Sequence, residues 1–385
     1  MDRVNFIVLA PNKWNSVWMN RQHIFSILGK QHNVIYSNGP LFYWDRTLPR
    51  FKESFWFTSI LEQDNVKVVE FPKTLMRVPR LKLWDNTIKK YFKRLTSKFT
   101  IKSAPTVLYI FNPLFHEYID EIPHDFLVYH PYDDFTKLYN SGVNEDGNKI
   151  LAKKADIVIT TSSLLKKNYE NLSSNVHFVP NGVDFDMFCQ WQSKTEDLLL
   201  DNGRRRVGYT GSLNSKMDIS LLYSVCSSLP DIDFYIVGGV GKLDEHQLED
   251  FNALKALDNC YFLGNKKLRD VPSYMRKMDI NIIPYRTDPD SFANAGYPLK
   301  LHEYLTVGKP IICSPIDSAF EFSDVLHIKE TSQDWITSVR HILMSEEEYT
   351  EASETKRRNI AKCNTWTERA RTIEKLLEVT CVSKK

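Results

Sequence analysis

A lysine and a glutamate three residues apart at the start of a helix can hold a phosphate and the hydroxyls of a sugar. The stretch YPLKLHEYLTVGKPIICS, residues 297–314, has this pattern. Pro298 suits a first helical turn and Gly308 suits a C-cap, so Lys300 and Glu303 share one face near the N-terminus. A helix N-terminus attracts phosphate, and a lysine there adds a point charge. A glutamate one turn further in can accept hydrogen bonds from sugar hydroxyls. The plain alternative is an exposed Lys–Glu pair contributing ~0.2–0.5 kcal/mol.

Two further stretches carry reactive side chains. In LVYHPYDDF, 127–135, an apolar run ends in His130, Pro131, Tyr132 and the adjacent Asp133 and Asp134. Neighbouring carboxylates repel and favour water, which puts them on a loop at a strand end. Read plainly, they are loop and capping residues. In PNKWNSVWMNRQHIFSIL, 11–28, Trp14, Trp18, Arg21 and His23 are suited to an acceptor site, because tryptophan faces stack on sugars. Equally, the tryptophans suit a core. This first region has no G-x-G-x-x-G, which argues against dinucleotide binding there.

The elements that must position these residues are short runs rich in Val, Ile, Phe and Tyr, at 4–10, 33–37, 106–111, 126–130, 156–161 and 176–180. A second set follows at 206–211, 233–239, 260–264, 279–285 and 309–314. Most are continuous rather than alternating, as in strands buried on both faces of a parallel sheet. Helical patterns lie between them, at 15–30, 83–99, 218–229, 267–277 and 298–307. Strand–helix alternation predicts βαβ units. The strands exceed one ordinary sheet, and the Pro-Asn-Gly turn in PNGVDFDMF, 180–188, is the expected joint. TWTERARTIEKLLEVT places Trp366, Ala370, Ile373, Leu376 and Leu377 on one face of a C-terminal amphipathic helix. Two such domains facing each other would form a cleft at the C-terminal ends of both sheets, where ligands of open α/β sheets bind.

Bulk properties bound the function. The 385 residues include 42% hydrophobic and 25% charged, as in a globular protein of two domains, and a net charge of +2 gives no whole-chain attraction to nucleic acid. The N-terminal apolar run is too short for a secretory signal, and no stretch reaches membrane-spanning length. Cysteines at 189, 226, 260, 313, 363 and 381 are scattered without C-x-x-C, which fits reduced thiols and a cytoplasmic location. Three Asp-x-Asp strings exist, Asp184–Asp186, Asp231–Asp233 and Asp288–Asp290. None follows the strand pattern of a metal site, so no metal is expected.

One segment departs from the even charge balance. RVPRLKLWDNTIKKYFKRLTSKFTIK, 77–102, has nine Lys or Arg against Asp85 alone. Trp84, Ile88, Tyr91, Phe92, Leu95 and Phe99 follow helical spacing. A basic amphipathic helix with aromatics suits an anionic membrane surface, and an ordinary packed helix with a solvated basic face is the alternative.

Taken in order, ADIVITTSSLL (155–165), VPNGVDFDMF (179–188), VGYTGSL (207–213), YFLGNKKLRDVPSYMRKMDINIIPY (261–285) and PLKLHEYLTVGKPII (298–312) resemble GT-B glycosyltransferases that use nucleotide-sugar donors. The resemblance covers roughly 125–315, and is greatest to bacterial surface-polysaccharide enzymes of the teichuronic-acid type and xanthan-type glucuronosyltransferases. It implies an α/β fold of the GT-B type, two Rossmann-like doubly wound domains facing an interdomain cleft. The expected domains are 1–183 for the acceptor, 184–365 for the nucleotide sugar, and 366–385 as a helix packing back on the first domain.

By the same resemblance, Lys300 with Leu301 would contact the diphosphate and Glu303 the ribose. Gly211 and Ser212 would approach the phosphates, and Asn265 and Lys266 the base. For the acceptor, Trp14, Arg21 and His23 are expected from their residue types alone, since they lie before the stretch that the resemblance covers. Many retaining relatives have a glutamate where this chain has Ala295 and an arginine where it has Ser212; Lys216 and Arg286 are candidates for the missing charge. Glucuronosyltransferase relatives use as base an aspartate matching Asp133, while retaining relatives place a histidine near His130. The expected reaction is transfer of a sugar, from UDP more than GDP, to a lipid-linked glycan at the inner membrane face. It needs no cofactor and no nucleic acid. A nucleotide-sugar epimerase on the same fold, or a non-catalytic binder, is the alternative.

Overall fold

The computed structural model describes residues 3–135, 142–190, 199–288, 291 and 293–383. Asp290, from the third Asp-x-Asp string, lies outside them. The chain divides into two compact units, Met1–Pro180 with Trp366–Lys385, and Asn181–Thr365.

The first unit is built on an eight-stranded sheet. In chain order its strands are β1 (Asn5–Leu9), β2 (Asn33–Ser37), β3 (Ser59–Gln63), β4 (Val66–Glu70), β5 (Thr106–Ile110), β6 (Phe126–Tyr129), β7 (Ile157–Thr160) and β8 (Val176–Phe178). Their order across the sheet is β3-β4-β2-β1-β5-β6-β7-β8. All pairs are parallel except β3–β4. The central runs NFIVL and FLVY are buried at every position, which is why they lack alternation. The direction of winding reverses between β1 and β5, and the loops after these strands and after β6 carry Asn12, Phe111 and His130.

The β3–β4 hairpin is not predicted by the patterning. Its turn is Asp64–Asn65, both at positive φ (51° and 65°), and it uses no glycine. Ser59 of β3 is half-buried and Ile60 to Gln63 are exposed, so that edge strand carries no alternating apolar pattern. The helix Trp366–Ser383 packs against the helix Asn20–Leu28. Trp366, Ala370, Ile373 and Leu377 are its buried face. His23 stacks on Trp366 with centroids 4.9 Å apart, and His32 Nε2 lies 2.8 Å from a Glu374 carboxylate oxygen.

In the second unit six strands follow: β9 (Arg206–Thr210), β10 (Asp233–Val237), β11 (Cys260–Gly264), β12 (Ile280–Ile283), β13 (Ile311–Cys313) and β14 (His327–Ile328). All are parallel, in the order β11-β10-β9-β12-β13-β14. Numbered within the unit this is 3-2-1-4-5-6, the dinucleotide-fold order, with its reversal between β9 and β12. The helix Leu299–Val307 begins after Pro298 and ends on Gly308, which takes φ 84° as a left-handed cap.

Candidate functional site

The second unit gathers its polar groups at the reversal point. Lys300, in the first turn of the helix Leu299–Val307, reaches back to the ends of β9 and β12. Its Nζ donates to Tyr285 Oη at 2.7 Å and lies 3.2 Å from Tyr209 Oη. The same ammonium sits 4.8 Å and 4.6 Å from the centroids of those rings. Burial pushes the Tyr209 phenol well above its usual range, so it stays neutral. Among the described residues no carboxylate lies within ion-pair distance of Lys300. The lysine is thus oriented by two tyrosines.

Backbone approach surrounds that charge. Gly211 holds φ 134°, and a Cβ there would lie 3.0 Å from Lys300 Nζ. Thr210 N donates to Tyr304 Oη at 2.8 Å, which ties the end of β9 to the lysine's helix. After β10, a Cβ on Gly239 would fall 2.7 Å from the Asn265 amide, and one on Gly241 3.2 Å from Ser212 Oγ. Gly211, Ser212, Gly239 and Asn265 therefore share one rim. Glu303, half-buried, has its carboxyl pushed up to about 7 by desolvation, against the pull of Lys300.

The other expected donor residues differ in fate. Leu301 is fully buried, so its side chain is core. Arg286 does not stand as a spare cation: Nε donates to Asp288 at 3.0 Å and Nη1 lies 3.5 Å from Asp244. Lys216 is half-buried, and its carbonyl accepts from Arg286 N. Lys266 Nζ lies 5.6 Å over the Tyr274 ring. Tyr209, Tyr285 and Gly239 were not expected; VGGVG directly after β10 was the available signal for the glycine, and the tyrosines read as strand residues.

In the first unit the structure separates the expected acceptor residues. Trp14 is core: its indole donates to Asp64 Oδ2 at 3.1 Å and its ring meets Tyr36 edge-on at 5.0 Å. His23 is occupied by Trp18 and Trp366. Arg21 instead turns inward, 2% exposed, and Nη2 donates to Asn12 Oδ1 at 2.7 Å. Its guanidinium carbon lies 4.5 Å over Tyr132 and 5.8 Å over Phe111. His130, 1% exposed, stacks on Phe111 at 4.9 Å, and its Nδ1 is 2.7 Å from Tyr109 Oη. Burial, then the Arg21 charge, lower its pKa to about 3. A base that weak takes few protons near neutrality. Asp133 is half-buried on the bend after Tyr132, whereas Asp134 is buried. Thr161 Oγ1 donates to the Tyr132 carbonyl at 3.2 Å and fixes this loop to the end of β7.

The Asp-x-Asp strings have structural partners. Asp184 caps the helix Phe185–Cys189, Asp231 pairs with Arg340, and Asp233 pairs with Arg204 at 3.0 Å.

The basic segment forms the helix Lys82–Ser97. Ile88 and Phe92 are its buried face, and Asp85 is also buried, held by Arg77 at 2.6 Å and 2.9 Å. Lys89 is spent inside the unit, 3.2 Å from Glu117 and 3.6 Å from Asp85. Lys82, Lys90, Arg94 and Lys98 are exposed. Beside them stands an apolar surface that the sequence reading missed: Trp56 is 63%, Phe57 83% and Leu83 88% exposed. A hydrogen bond between Thr58 Oγ1 and Tyr91 Oη, 3.2 Å, sets the 56–58 segment against the helix. Among the described residues no helix is long and apolar enough to cross a membrane.

Comparison with known proteins bears on the family and the fold. Residues 204–344, all in the second unit, match the family model described as glycosyl transferases group 1. A protein of Bacillus subtilis named as a teichuronic acid biosynthesis glycosyltransferase, TuaH, is 29% identical over 228 residues, 56% of this chain and 55% of that protein. The chain spans about half the length of the curated relatives it matches. Among solved structures, sucrose-phosphate synthase of Thermosynechococcus elongatus aligns with TM-score 0.74 at 13% identity, over 99% of this chain and 100% of that one. Anabaena Alr3699/HepE in complex with UDP-glucose aligns with TM-score 0.73 at 16% identity, over 98% and 100%. The fold is GT-B, and it resembles that of glycosyltransferases.

Proposed function

We propose that this chain is a metal-independent glycosyltransferase that moves a sugar from a UDP-sugar to a lipid-linked glycan in cell-surface polysaccharide synthesis. The observation that carries this reading is Lys300. Among the described residues it has no carboxylate partner, and it is oriented by two tyrosines at the reversal point of a dinucleotide-type sheet, beside a glycine with room for phosphate. The family match of residues 204–344 and the sugar-nucleotide complex of a structural neighbour support it.

In this mechanism the acceptor hydroxyl attacks the anomeric carbon, the bond from that carbon to the diphosphate breaks, and UDP leaves. Lys300, the Gly211 backbone and the helix N-terminus stabilise the charge on the leaving diphosphate. Glu303, when ionised, accepts from the ribose hydroxyls, and Asn265 and Lys266 adjoin the base. Asp133 takes the acceptor proton. The low pKa of His130 favours that assignment and leaves the histidine a neutral hydrogen-bonding group.

A lipid-linked acceptor calls for a membrane surface. Exposed Trp56, Phe57 and Leu83 next to Lys90 and Arg94 support peripheral docking on an anionic leaflet, which for a cytoplasmic enzyme is the inner face. The test is product analysis with UDP-sugars in the presence and absence of membrane extract. Release of UDP with a glycosylated or hydrolysed sugar is the expected result. An epimerised sugar nucleotide with no UDP release replaces this reading with the epimerase.

A further inference from the structure

We infer that Arg21 and His130 form an oxyanion-binding subsite in the first unit, and that it takes a phosphate carried by the acceptor. The owner of that phosphate rests on the transferase reading above; the subsite itself does not.

The argument begins with a buried cation. Arg21 is 2% exposed, and among the described residues it forms no ion pair. Asn12 Oδ1 accepts from Nη2, but Nε and Nη1 have no hydrogen-bond partner. A guanidinium sealed from water without a counter-charge is costly, and removing only part of its hydrogen bonding adds to that cost. The rings of Tyr132 and Phe111 offset some of it through cation–π attraction, yet they satisfy no N–H group. An oxyanion satisfies both the charge and the donors, and guanidinium is the side chain best matched to phosphate.

His130 supplies a second, independent sign. Its Nε2 is likewise buried and without a hydrogen-bond partner. When the Tyr109 hydroxyl donates to Nδ1, the ring proton sits on Nε2, which is then a donor. Both side chains lie against Phe111, and the Arg21 charge is felt at the imidazole. Pro11 and Asn112, each adjacent in sequence to a member of this cluster, line a cleft with Asn38, Phe42 and Arg50. The cluster stands at the C-terminal ends of β1, β5 and β6, the sheet's own reversal point, where α/β folds bind ligands.

The experiment uses the full chain and inorganic phosphate as probe. Calorimetric titration of the wild type should show one saturable phosphate site. Arg21→Met should weaken it by about tenfold to a hundredfold, the effect of a charge-assisted hydrogen bond. Arg21→Lys should restore part of the affinity, since it keeps the charge and loses the planar fork. UDP affinity, read in a parallel titration, should be unchanged in both variants. Should Arg21→Met fail to fold, the His130 ring nitrogens of the wild type report instead. Phosphate should shift Nε2 and raise the imidazole pKa from about 3. Absence of saturable phosphate binding, equal affinity in a folded Arg21→Met, or no response at His130 overturns the subsite. Displacement of phosphate by UDP overturns the assignment to the acceptor. If phosphate binds as described while no UDP-sugar is turned over, the subsite stands and the transferase reading falls.

Discussion

Gly211 and Lys300 share one small volume: a Cβ built on the glycine would lie 3.0 Å from the lysine Nζ. The glycine also holds φ 134°, a region that side chains make costly. Two requirements therefore meet at one position. The backbone must turn sharply off β9, and the ammonium must occupy the space above it. Tyr209, whose Oη would itself lie 3.2 Å from that Cβ, and Tyr285 hold the ammonium there.

Gly211→Ala tests this arrangement. The strained backbone should lower stability by about 1–3 kcal/mol. The added methyl should also displace Nζ and weaken UDP binding about tenfold or more, as a lost charge-assisted contact does. Lys300→Met removes the charge without the backbone strain, so it should lose UDP affinity with little change in stability. Urea unfolding and calorimetric titration of the two variants separate the effects. UDP affinity that survives both substitutions would remove the phosphate role from this corner.

Glu303 gives a pH signature. Its folded pKa of about 7 lies above the ordinary 4.5, because desolvation disfavours the carboxylate more than Lys300 favours it. The folded state thus binds the proton more tightly than the unfolded state. Its contribution to stability is complete below about 4.5 and declines as pH rises to about 7. In the proposed donor site ribose hydroxyls donate to the ionised form, so UDP affinity should rise over the same upper range. Glu303→Gln should flatten both profiles. Titrations on either side of neutrality check this, and an inflection near pH 7 that persists in the Gln variant assigns it elsewhere.

The parallel strands were legible because burial on both faces writes a continuous apolar run, as in NFIVL and FYIV. The Pro298 and Gly308 signals framed their helix for the same local reason. What escaped was decided by tertiary partners. Arg286 looked like a spare cation because Asp244 lies far from it in sequence. Trp14 and His23 looked like a sugar platform until Tyr36, Trp18 and Trp366 closed over them. Spacing located the reactive segments, and packing decided which side chains remain available.

The proposed docking face divides the basic helix in two. Lys89 is bound to Asp85 and Glu117, so its loss should affect folding more than docking. Lys90→Glu with Arg94→Glu reverses charge at exposed positions. Each basic residue near an anionic surface contributes about 1 kcal/mol, so the pair should weaken vesicle binding by roughly tenfold or more. Trp56→Ser with Phe57→Ser should also weaken it, by removing apolar groups that enter the interface. Flotation with phosphatidylserine-containing vesicles measures both. Only the charge reversal should lose its effect at high salt, where the remaining electrostatic attraction is screened. Wild-type binding by both double variants excludes this face as the docking surface.

Asp133 and His130 stand three residues apart, and the structure gives them opposite environments. The aspartate is half-buried on a bend, while the histidine is sealed and neutral. Asp133→Asn should therefore reduce transfer by about a hundredfold to ten-thousandfold, the usual contribution of a general base, and leave UDP affinity intact. His130→Gln keeps a hydrogen-bonding side chain and adds no charge. It should raise the acceptor KM more than it lowers kcat. Should the His130 variant lose transfer while Asp133→Asn keeps it, the proton acceptor is the histidine, in spite of the burial that holds its pKa near 3.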